Sequence, residues 1–190
     1  AADGGITVTT KAATVSRAIK AGTCTTGALL TCTPTAAVAG VATFVSCKID
    51  KTGANYVLTA TDGALTAVDS SPFSITVGAP AKLAYTTQPN TSNTGVAFSS
   101  QPVVVIQDAG GNLTADTSSV TLAIKLGTGT AGAALTCTSN TIAAVAGVAT
   151  FSGCSIDLAG IGYVLTATDG TLTSVDSAAF NIIGAATKRA

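Results

Sequence analysis

The octet YVLTATDG fills residues 56–63 and returns unchanged at residues 163–170. Side chains alternate across a strand, so Tyr163, Leu165 and Ala167 share one face, which we assign to the core, while Thr166 and Thr168 share the other. A second octet, AVAGVATF, occurs at 37–44 and again at 144–151, at the same spacing of 107 residues. The repeating unit is therefore a domain of about a hundred residues rather than a short solenoid turn.

Working outward from the octets, the copies pair Cys32 with Cys137 and Cys47 with Cys154. The second copy gains two residues in a turn, where TCTPTAAVAG at 31–40 becomes TCTSNTIAAVAG at 136–147. Register then holds as far as Phe73 with Phe180, and GAPAK at 78–82 reappears as GAATK at 184–188, where a further copy begins. We expect three parts: residues 1–80 as an incomplete repeat, 81–184 as a complete one, and 185–190 as the start of another repeat or a donated strand. The first copy lacks counterparts of roughly Tyr85 to Ile106, which include a valine-rich strand.

Composition points to strands. The chain of 190 residues is 47% hydrophobic and only 9% charged, against about a quarter in an average soluble protein. All nine acids are Asp, and nine Lys plus Arg cancel them. The cations are scattered singly apart from Lys188 and Arg189, so there is no basic stripe for nucleic acid and no polybasic membrane anchor. Val, Ile and Thr are abundant and helix formers scarce, which favours sheet over both helix and disorder. The apolar stretches at 36–45 and 142–151 are broken by Gly and Thr and fall short of the ~20 residues a spanning helix needs, so no membrane insertion is expected. Ala1-Ala2-Asp3 at the start fits a mature end left by signal peptidase.

In residues 81–184, short apolar runs are separated by turn signals every eight to twelve residues, the pattern of a two-sheet sandwich. About seven strands are predicted, near 82–87, 102–107, 119–125, 134–138, 148–152, 163–168 and 180–183, with the cysteines on the fourth and fifth. Each copy keeps its cysteine pair across a change of length, which points to bonds Cys32–Cys47 and Cys137–Cys154 and to an oxidising, extracellular compartment. A zinc set is disfavoured by the wide spacing and by the absence of His and of CxxC. Cys24, opposite Gly129, has two readings: a small buried residue on a glycine-rich turn, or an intermolecular thiol.

The run VVVIQDAGGN at 103–112, the GVATF segment at 147–151 and the pattern ID-x-x-G-x-x-Y-x-L-x-A at 156–167 resemble bacterial immunoglobulin-like repeats, found in tandem in surface adhesins of the invasin and intimin kind. The resemblance covers the second copy almost completely and the first in part. It implies an all-β chain of two tandem immunoglobulin-like β-sandwich domains, the first incomplete. Tyr56 and Tyr163 look like the tyrosine corner of such sandwiches, whose hydroxyl bonds to backbone upstream. The chain departs from antibody domains where their second cysteine stands, since Leu58 and Leu165 occupy that place. Its disulfides are accordingly local.

With no His, the usual nucleophile triads have no base, and no enzyme, catalytic residue, metal or cofactor is expected. Asp62, Asp69, Asp169 and Asp176 recur near strand ends and read as turn caps rather than a calcium cage, because no D-x-D-x-D-G spacing is present. Asn90 and Asn112 match the glycosylation sequon. The function expected is that of a structural extracellular protein, part of a cell-surface filament or stalk. Its partners would be copies of itself, head to tail, and glycans, with no nucleic acid. The alternative is an adhesin or carbohydrate-binding module. Strand donation would complete the first copy, with the C-terminal end of a neighbour running beside residues 15–20; a window cut from a longer array is the simpler account.

Overall fold

The structure, a computed structural model, describes residues 14–63 and 65–184. The described residues contain no helix: the chain is all-β, and it divides into two units, residues 1–76 and 77–190. The sequence reading places that division at 80/81. The segment 185–190, expected to start a further repeat or a donated strand, lies outside the described residues.

The first unit contains β1 (Thr14–Ile19), β2 (Leu30–Thr31), β3 (Thr35–Ala36), β4 (Lys48–Ile49), β5 (Gly53–Tyr56), β6 (Leu58–Thr61), β7 (Val68–Asp69) and β8 (Phe73–Ile75). Four of these form an antiparallel sheet in the order β3-β1-β6-β7, and β2-β4 and β5-β8 make two further pairs. In the second unit the strands are β9 (Pro80–Thr87), β10 (Ser92–Asn93), β11 (Val103–Asp108), β12 (Ser119–Ile124), β13 (Leu135–Thr136), β14 (Thr141–Ala143), β15 (Val148–Thr150), β16 (Ser155–Ile156), β17 (Gly160–Tyr163), β18 (Leu165–Thr168), β19 (Val175–Asp176) and β20 (Phe180–Ile183). Twelve strands replace the seven expected. The apolar runs are cut short by turns and bulges, as at Val164, which separates β17 from β18.

The second unit's sheet β14-β12-β18-β19 repeats the order and register of β3-β1-β6-β7, with β14 one residue longer than β3. Arg17 faces Ala60 across the ladder as Leu122 faces Ala167, and Ile19 faces Leu58 as Ile124 faces Leu165. What the second unit adds is the sheet β15-β11-β9, together with β10 beside β20. Side chains from both sets of strands meet in one core containing Leu83, Val104, Ile106, Val120, Leu122, Phe151, Tyr163, Leu165 and Phe180, an arrangement consistent with a β-sandwich. No strand among the described residues of the first unit corresponds to β9, β10, β11 or β15. Its core positions are correspondingly uncovered. Leu58, Ala60, Phe44 and Ile49 are half-buried where Leu165, Ala167, Phe151 and Ile156 are almost fully enclosed, and Tyr56 alone is buried among its described apolar residues.

β1 pairs with β3 at Thr14 and Val15 and with β6 from Ser16 to Ile19. Among the described residues, β3 and β7 are the edge strands of this sheet.

The repeated AVAG segment is a two-residue hairpin turn. Val145 and Val148 exchange backbone hydrogen bonds of 2.9 and 3.0 Å around Ala146 and Gly147, whose φ angles are 48° and 79°. Two positive φ values in succession define a type I′ turn, whose first place suits Asn better than Ala. Gly147 cannot change, since a Cβ there would lie 2.1 Å from the Thr114 carbonyl oxygen. Ala146 is exposed and free to change. Ala146→Asn is expected to stabilise the second unit by about 0.5–1 kcal/mol, read as a rise of a few degrees in Tm by calorimetry. An unchanged or lower Tm would contradict the turn assignment.

Candidate functional site

The cysteines follow from the ladder. β2 and β4 pair Leu30 with Ile49 and Thr31 with Lys48, so the next position outward brings Cys32 to Cys47, and the two are bonded. β13 and β16 do the same one register short of the Cys137–Cys154 bond. The four cysteines thus flank two-residue strands instead of lying on them. Cys24 is a free, exposed thiol, which removes the reading of it as a small buried residue.

Tyr56 and Tyr163 are wholly buried. The Tyr56 hydroxyl donates to the Lys51 carbonyl at 2.9 Å and the Tyr163 hydroxyl to the Leu158 carbonyl at 2.8 Å, both five residues upstream. Each ring lies near the phenylalanine opposite it on the paired strand, Phe73 at 6.1 Å and Phe180 at 6.2 Å between centroids. The same corner is built twice.

The aspartates divide by role. Asp62 caps a turn by accepting the Leu65 amide at 2.7 Å. Asp69 and Asp176 are not caps. Each pairs with a lysine across the sheet, Lys20 and Lys125, and accepts a threonine hydroxyl, Thr59 and Thr166, at 2.6 Å. The lysine and then the threonine hold each carboxyl below its ordinary value. Asp169 and Asp116 both lie within hydrogen-bonding reach of the Ser118 hydroxyl. Among the described residues no three acidic or cysteine side chains gather into a metal-binding set.

Asp108 closes the turn after β11. Burial by itself would raise its carboxyl, but bonds donated by the Gly78 amide, the Asn112 side chain and the Asn112 and Gly110 amides together outweigh it and hold the pKa at about 2. A carboxyl depressed on folding contributes stability above its ordinary value near 3.8, and that contribution disappears as pH falls toward about 2. We expect the second unit to lose stability over this window in acid denaturation, and Asp108→Asn to flatten the dependence. An unaltered acid limb in the variant would exclude Asp108 as its source. The Asn112 side-chain nitrogen donates to both Asp108 oxygens at 3.0 and 2.9 Å, bonds that a glycan on this nitrogen would have to replace. Asn90 is engaged with Ser99 at 2.6 Å and with the Ser100 amide at 2.9 Å.

One hollow remains on the uncovered face of the first unit. Arg17, Leu58, Ala60, Val68, Asp69 and Ser70 line about 160 Å³. Arg17 stands where the second unit has the buried Leu122, and its guanidinium lies 4.1 Å over the Phe44 ring. Sequence reading missed this place, although the Arg-for-Leu difference in VSRAI against VTLAI signals a change at a core position.

No helix among the described residues is long and apolar enough to cross a membrane. No family model matches the chain, and no curated protein is similar to it in sequence.

Proposed function

We propose that the chain is a structural extracellular protein, a segment of a cell-surface filament or stalk built from tandem immunoglobulin-like sandwiches of the invasin and intimin kind. The observation that carries this reading is duplication: the same sheet register, tyrosine corner and local disulfide occur twice. Two disulfides suit an oxidising, extracellular setting. A surface low in charge and rich in Thr and Ser suits close packing of neighbours. The chain performs no catalysis and carries no cofactor. Sugar binding, the alternative, is less well supported because a sugar platform needs an exposed ring, and all five Phe and three Tyr are buried or half-buried.

Immunogold labelling of the native source with an antibody to this chain tests the reading. Gold is expected along surface fibres. Gold confined to the cell interior would overturn it.

A further inference from the structure

In the second unit the strand that receives the chain and the strand that releases it point the same way and are held at opposite ends of the sandwich. β20 runs toward the end where Ile182 faces Gly160, and the chain leaves there at Gly184. β17 and β18 run the other way, from Gly160 past Tyr163 and Ala167 to Thr168. Thr173 lies at that far end, ahead of β19, which turns back along β18. β9 enters beside it: Lys82 bridges Thr173 in parallel, the Leu83 amide donates to the Thr173 carbonyl, and the Thr173 amide donates to the Ala81 carbonyl, both at 3.0 Å. Further along β9 the Tyr85 hydroxyl reaches the Leu165 carbonyl at 3.1 Å, so β9 advances toward the Gly160 end as β20 does. The strand length from Gly160 to Thr168 puts about 26 Å between the two ends.

Both strands are fastened along their length. At the entry the Gly78 amide donates to Asp108 at 2.9 Å, and β9 then pairs antiparallel with β11 from Pro80 opposite Asp108 to Thr87 opposite Val103. At the exit β20 lies between the antiparallel β17 and the parallel β10, with Ser92 opposite Ile182 and Asn93 opposite Ile183. The Ile183 carbonyl, at the end of β20, accepts the Thr94 amide at 2.9 Å and the Thr94 hydroxyl at 3.1 Å, and the Gly95 amide goes on to the Ile156 carbonyl at 2.8 Å. Ladder hydrogen bonds run across strands rather than along them. A pull along β9 and β20 therefore strains many bonds together, whereas a pull across a strand breaks them one after another. We infer that the second unit is a tension-bearing module, which takes a pull along the chain in shear and is clamped by Asp108 and the β9–β11 ladder at one end and by Thr94 on Ile183 at the other. This goes beyond the surface-fibre reading and stands on the ladders of one unit.

Single-molecule pulling on the full chain tests the inference, in a Cys24→Ala background so that only introduced thiols carry the handles. Val77→Cys with Gly184→Cys loads the unit along β9 and β20. Ile161→Cys with Gly184→Cys places both handles at one end, where the pull peels β20 from β17. The first geometry is expected to need severalfold the force of the second at the same loading rate. At constant force in the first geometry, Thr94→Ala should speed unfolding roughly two- to tenfold through loss of one hydrogen bond. Thr121→Ala removes a comparable bond, that between the Thr121 and Thr141 hydroxyls at 2.9 Å, but on strands that the pull does not enter first, and it should leave this rate unchanged. Equal forces in the two geometries, or equal effects of Thr94→Ala and Thr121→Ala, overturn the clamp. Either result would leave the surface-fibre reading to stand on the immunogold labelling.

Discussion

Reduction of both disulfides is expected to unfold the first unit and leave the second folded. Cross-links between cysteines 15 and 17 residues apart each contribute roughly 3 kcal/mol in the chain-entropy model. Small domains have only about 5–15 kcal/mol in total. The second unit can lose that much because a continuous core of two layers remains, whereas the first encloses one tyrosine and leaves its other described apolar positions half-buried or exposed. Cys32→Ser with Cys47→Ser, and separately Cys137→Ser with Cys154→Ser, followed by residue-resolved hydrogen exchange, would distinguish the two. Loss of protection throughout residues 14–63 in the first variant, and a lowered but cooperative Tm in the second, is the expected pair of results. Retained protection in the first variant would show that its core is more complete than its burial implies.

The second large effect is expected at Gly129. Its φ is 64°, and a Cβ would stand 2.1 to 2.6 Å from three ring atoms of the buried Tyr163. The ring has nowhere to go, held by its bond to Leu158 and by Phe180. Gly129→Ala should therefore destabilise the second unit by about 3 kcal/mol or more, adding backbone strain to overpacking. Cys24 occupies the same place in the first unit but is exposed and outside the positive-φ region. Cys24→Ala is accordingly expected to change stability by less than about 0.5 kcal/mol. Comparing Tm or denaturant midpoints of the two variants checks the asymmetry, and similar effects at both sites would refute it.

The all-β class was legible in the sequence because the alternation in YVLTA exposes one apolar face, and the local pairing of cysteines because two copies preserved it across an insertion. Strand limits were less legible. Thr and Ser recur on strands and turns alike, so periodicity does not mark where β13 stops after two residues or where Val164 breaks a ladder. The role of Asp69 and Asp176 was also hidden, since their partners Lys20 and Lys125 lie about fifty residues away and meet them only through the sheet. The hollow was least legible of all. Arg17, Ala60 and Val68 are far apart in sequence and meet only where β1, β6 and β7 line up in the sheet.

The position of the disulfides also bears on how such a chain answers a pull from its ends. Because each bond joins residues one step beyond a two-residue ladder, the loops it closes, spanning 15 and 17 positions, cannot be drawn out when a unit gives way. At about 3.4 Å per extended residue, roughly 50 Å of slack is withheld from each unit. Pulled from its ends, each unit would lengthen by that much less, and a reducing environment would restore the difference.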